Sequence, residues 1–206
     1  FAAQQEIVSE ILDNLEIDDS HTKAEAAHDP KALELYMKGR YYLNRRAEAD
    51  FQRSVELFKQ TIDVDPTFAQ AYVGLSEAYT LGSFLNVKFA PGEKNALIRA
   101  TIQKALDIDP NLGEAYAARA INRCYYDWDF AGAESDYRRA IELVPSNATA
   151  HHWYAEFLSM QGRFDKSYRE YDKAISLDPL SMAIKTDLAL AHFYARDHDG
   201  SMELLK

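Results

Sequence analysis

Two short stretches carry the side chains most suited to chemistry. His151 and His152 are adjacent and His192 follows further along; imidazole is a frequent zinc ligand. Asp127-Trp128-Asp129 sets two carboxylates beside an aromatic ring, the ingredients of a sugar-binding or proton-transfer site. Spacing argues against both. Neighbouring positions on a helix diverge by about 100°, so His151 and His152 point apart, and neither stands four residues from another His or Cys. Packing or polarity beside a groove accounts for them, and no metal site is expected. The two aspartates fall in the turn ahead of AGAESDY, which opens a helix, so capping explains them better than catalysis. Cys124 is the only cysteine; it has no intramolecular disulfide partner and reads as a small half-buried residue at a helix end. No GxSxG, HExxH, Walker loop or Cys/His pairing occurs, so no catalytic residues and no cofactor are expected. The chain reads as non-enzymatic.

The elements that must position these residues follow from four prolines. Pro66, Pro110, Pro145 and Pro179 close the related phrases TIDVDP, ALDIDP, AIELVP and AISLDP, at separations of 44, 35 and 34 residues. A unit near 34 residues that ends on proline marks a solenoid of helical hairpins. The unit from Ala148 to Ser181 runs without insertion. It sets small residues at Ala155, Ser167 and Ala174, rings at Phe164 and Tyr171, a glycine at Gly162 and its proline at Pro179. Antiparallel helices approach closely only where side chains are small, while larger neighbours fill the flanking space. Pro179 cannot continue its helix and forces the turn into the next unit.

That pattern resembles the tetratricopeptide repeat (TPR). The resemblance implies an all-α fold, a right-handed α-solenoid of helical hairpins, with repeats at about 32–68, 69–112, 113–147, 148–181 and 182–206, the last cut short. The other small slots are Gly39, Ser54, Thr61, Ser76, Ala105, Ala120, Ala133, Ala140, Ala189 and Ser201. Insertions fall between the two helices of a unit: around Asn44–Asp50, within TLGSFLNVKFAPGEKN, and as one extra residue near DWDF. Residues 80–95 include Phe84, Leu85, Val87 and Phe89, too apolar for an idle loop; they are expected to cover the array. Ahead of the repeats, residues 1–17 place Val8, Ile11, Leu12 and Leu15 at helical spacing, an amphipathic helix. Residues 18–30 form a connector, with Asp29-Pro30 as cap and first residue of the first repeat helix.

Three longer phrases, LYMKGRYYLNRRAEADFQRSVELFKQTIDVDP, CYYDWDFAGAESDYRRAIELVP and HHWYAEFLSMQGRFDKS, are similar to the C-terminal TPR regions of bacterial multidomain signalling proteins. In those proteins the array follows a winged-helix, nucleotide-cyclase or kinase domain. FAAQQEIVSEILDNL is similar to the last helix of the TolB-like segment that often intervenes. The chain opens on Phe1 and is read as a piece excised from such a regulator, without targeting information, so its compartment stays open.

The TPR resemblance also implies a concave groove lined by first helices. Its slots hold Tyr36, Met37, Arg40, Asn44, Glu77, Tyr125, His152, Trp153, Glu156, Thr186 and Phe193. Tyr36, Arg40, Glu77, Tyr125, His152, Trp153 and Glu156 are the expected peptide-binding set, rings supplying area and charges fixing register. TPRs that grip a terminal carboxylate use Lys, Asn, Asn, Lys and Arg. Here those slots hold Tyr36, Arg40, Gly74, Glu114 and Ala118, so that clamp is missing. With 23 basic against 33 acidic residues and a net charge of −10, direct nucleic-acid contact is disfavoured. No apolar run reaches the ~18 residues of a membrane span. The expected partner is a protein or peptide. Self-association as a homodimer, or service as the regulatory arm of a cyclase or kinase, are the alternatives.

Overall fold

The computed structural model describes residues 28–45, 47–84 and 94–205. The amphipathic segment 1–17, most of the connector 18–30 and the insertion residues 85–93 lie outside the described residues. Helices follow one another as α1 (Pro30–Arg45), α2 (Glu48–Val64), α3 (Ala69–Phe84), α4 (Lys94–Ile108), α5 (Gly113–Asn122), a π-helical turn (Arg123–Asp127), α6 (Phe130–Leu143), α7 (Ala148–Met160), α8 (Phe164–Leu177), α9 (Met182–Tyr194) and α10 (His198–Leu204). No strand occurs among the described residues. This is an all-α solenoid of stacked hairpins.

Local chemistry sets the helix ends. Asp29 Oδ1 accepts from the backbone N–H of Lys31 at 2.7 Å and Ala32 at 3.4 Å, with Pro30 as the first helical residue. Asp129, Asn147, Ser181 and Asp197 cap α6, α7, α9 and α10 in the same manner, satisfying N–H groups that have no partner within the helix. Between α7 and α8 the chain reverses at Gly162, whose φ of +71° suits a residue without Cβ. A second device ties helix pairs together at two junctions. Tyr72 donates its hydroxyl to Pro66 O at 3.1 Å, and Tyr116 does the same to Pro110 O at 3.0 Å.

The small slots read from the sequence are all buried: Ser54, Thr61, Ser76, Ala105, Ala120, Ala133, Ala155, Ser167 and Ala174 are 0% exposed. The hydroxyls among them cost little, because Ser54, Thr61 and Ser76 each donate to a carbonyl of their own helix. One apolar core runs from Leu43 in α1 to Leu158 in α7, and a smaller one joins Ala155, Tyr171 and Ala174 to Ile184, Leu188 and Ala191 of α9. The extra residue near DWDF is absorbed by the π turn, which widens the helix by one residue per turn; Trp128 then takes φ 56°.

First helices meet along the array, α1 with α3, α3 with α5, α5 with α7 and α7 with α9, whereas each second helix packs on first helices. Unequal packing of this kind curves a solenoid, with the first helices inside.

Candidate binding groove

The inner face presents two hollows. The first, of about 300 Å³, is lined by Tyr36 and Arg40 of α1, Gln70, Val73 and Glu77 of α3, Glu114 and Ala117 of α5, and Ser146, Asn147 and Thr149 at the start of α7. Arg40 Nη1 lies 2.6 Å from Glu77 Oε2, and the Glu77 side chain is only 7% exposed. The Glu77 carboxylate pushes the Arg40 pKa further up, overriding the opposing effect of burial, so the guanidinium stays charged. Tyr36 leans on Phe68 and Phe58, with ring centroids 4.9 and 5.9 Å away. Glu114 Oε2 is sealed from solvent and accepts no hydrogen bond among the described residues.

The second hollow, of about 620 Å³, lies between α7, α8 and α9, with Tyr125 of the π turn at its edge. Its apolar wall is Met160, Phe164, Leu190, Ala191 and Tyr194, and its polar groups include Glu156, Ser159 and Asp187. Tyr125 donates its hydroxyl to Glu156 Oε1 at 2.6 Å. Burial, followed by the Glu156 charge, pushes the Tyr125 phenol up, so it stays a neutral donor.

Of the seven residues expected to bind peptide, Tyr36, Arg40 and Glu77 meet at the first hollow, and Tyr125 and Glu156 at the second. Trp153 is placed differently. It is 3% exposed and belongs to the apolar core that α7 shares with the preceding hairpins, so its ring packs inward and does not line the groove. His152 is also buried, its Nε2 held 2.8 Å from Asp187 Oδ2. Asp187, Leu190 and Tyr194 are lining residues that sequence reasoning missed. They occupy the groove slots of the last unit next to the chosen Thr186 and Phe193, so applying every slot would have named them.

The remaining candidates resolve into structure. His151 stands six residues after Pro145, as Tyr72 and Tyr116 do after their prolines. Its Nε2 bonds Pro145 O at 3.0 Å and its Nδ1 meets Glu170 at 2.6 Å. Both ring nitrogens are engaged within the hairpin. His192 Nδ1 is bonded to Asp197 at 2.7 Å. Asp129 caps α6, while Asp127 forms an ion pair with Arg99. Cys124 is more deeply buried than expected, at 2% exposure, and burial raises its thiol to about 11, so it carries little thiolate.

A family model for the tetratricopeptide repeat matches residues 136–168, from α6 into α8. Over those residues the chain matches a tetratricopeptide repeat, and the array around them repeats the same helical hairpin. A thermophilic TPR protein of Thermus thermophilus has the same fold at 19% identity and a TM-score of 0.62, covering 80% of this chain and 82% of that one. PilF of Pseudomonas aeruginosa matches at 13% identity and a TM-score of 0.56, covering 84% of this chain and 73% of that one. Protein O-mannosyl-transferase Tmtc2 of Drosophila melanogaster is 37% identical over 59 residues. That stretch is 29% of this chain and 6% of the fly protein's length. The two structural likenesses concern the fold.

Proposed function

We propose that the array is a non-catalytic interaction module that holds an extended protein segment along its inner face. The observation that carries this reading is the pair of hollows, one polar between α1, α3, α5 and the start of α7, and one largely apolar between α7, α8 and α9. Exposed Met160 and Tyr194, at 50% and 64%, offer contact area at the second hollow, and rings with aliphatic neighbours are what anchors a partner segment. Selection of displayed random dodecapeptides on the chain tests this. Selected peptides should lose about ten-fold in affinity on Tyr194→Ser while Leu97→Ser, on the outer helix α4, leaves binding unchanged. Binders indifferent to Tyr194 would reject the groove.

The long phrases similar to bacterial regulators support placing the module downstream of an output domain in such a protein. The parent gene, read upstream of Phe1, would encode a winged helix, cyclase or kinase; a different neighbour removes that context.

A second reading has its own observation. Met182, Phe193, Met202 and Leu205 of the last hairpin are 71%, 52%, 59% and 63% exposed, an apolar surface suited to self-association. Light scattering over a concentration series checks it, and a strict monomer removes it.

A further inference from the structure

We infer that the segment held in the groove is basic, with a lysine or arginine side chain entering the first hollow to meet Glu114. This rests on the groove reading above and adds the chemistry of the occupant. Among the groove-lining residues, four carboxylates, Glu77, Glu114, Glu156 and Asp187, face one guanidinium, Arg40. Arg40 is already committed to Glu77 at 2.6 Å, so its charge is spent inside the wall. Glu114 is the residue left over. It affects Arg40 through the field alone, at more than ion-pair distance, and its sealed Oε2 takes no donor among the described residues.

A buried carboxylate oxygen without a donor costs free energy in the empty protein. Glu114 as a whole is half-buried and lines the hollow, so an incoming N⁺–H donor meets the carboxylate from its open side and adds a short charge-assisted bond that offsets this cost. The hollow, at about 300 Å³, has room for one long side chain, and the Tyr36 ring in its wall suits an aliphatic stem or a guanidinium face. An acidic segment would meet carboxylates at both hollows and be repelled. The chain's net charge of −10 steers a basic partner toward the groove from a distance.

Fluorescence anisotropy with three labelled peptides of equal length tests the inference, using repeats of Lys-Ser-Leu-Ser, Gln-Ser-Leu-Ser and Glu-Ser-Leu-Ser in about 0.15 M salt. The lysine peptide should bind about ten-fold tighter than the glutamine peptide, and the glutamate peptide weakest. Glu114→Gln should weaken the lysine peptide roughly five-fold and leave the glutamine peptide unchanged. Glu56→Gln, at an exposed carboxylate on α2, should alter neither. Equal losses at Glu114 and Glu56 would reduce the effect to net charge and overturn the proposal. Equal affinity for the lysine and glutamine peptides, lost on Tyr194→Ser, would overturn the basic preference and keep the groove. Binding of none of the three would remove both.

Discussion

Phe58 of α2 is wedged against Gly74 of α3, its Cε1 and Cζ 2.6 Å from where a Cβ on that glycine would stand. The same ring meets Gly39 of α1, again at 2.6 Å. Three helices of the first two hairpins therefore close around one fully buried ring, and two missing side chains make the space.

Gly74→Ala should accordingly destabilise the array by about 1 kcal/mol net. Overpacking costs about 1–3 kcal/mol, and the better helix propensity of alanine returns about 1. The ring has little room to retreat, since Gly39 bounds it as well. Denaturant melts of Gly74→Ala alone and with Phe58→Leu check this; a penalty undiminished in the double variant would refute the wedge.

Ala155→Leu and Ala174→Leu each insert a side chain where α7, α8 and α9 meet, at positions 0% exposed. Each should cost about 1–3 kcal/mol. Thermal unfolding indistinguishable from the parent would show that the crossing is looser than described.

Arg40→Met strands the Glu77 carboxylate in the wall of the first hollow. The expected loss is about 3 kcal/mol, the low end for a broken buried pair, because Arg40 itself keeps 32% of its side chain in solvent. Adding Glu77→Leu should recover most of it, since an apolar pair of similar volume is tolerated there. A double variant no better than Arg40→Met would contradict the pairing.

Glu134 of α6 ties two hairpins through Arg163, at 2.9 Å to each carboxylate oxygen. Hydrogen bonds from Arg163, with the charges of Arg163 and Arg138, hold its pKa at about 2 against an ordinary 4.5. A depressed carboxylate stabilises the fold above its unfolded pKa and loses that contribution as pH falls through the folded one. The gap in midpoint between the parent chain and Glu134→Gln should be widest above pH 4.5 and close toward pH 2. A gap that stays constant across that window would reject the assignment.

Trp153→Ala was the natural groove substitution on sequence grounds, and the buried ring changes its meaning. It opens a cavity and should cost about 3–5 kcal/mol, with a fall in midpoint that Tyr194→Ser does not share.

What the sequence alone determined was the hairpin and its repetition. Small residues at matched slots and a proline at each unit's end are local signals, because close helix crossing and helix termination need particular residue types at particular places. Hence Ala155, Ser167 and Ala174 were legible as contact points, and Asp29-Pro30 as a helix start. What only the tertiary structure decided was which inner-face residues meet solvent. Trp153 and Tyr36 hold neighbouring groove slots on first helices, yet one is core and the other borders a hollow. Exposure there depends on how far each hairpin turns against the next. That angle is set by contacts distant in the chain, such as Phe58 between Gly39 and Gly74, and by where a π turn absorbs an extra residue. The same packing sealed Glu114 Oε2 without a donor, a consequence no spacing rule registers.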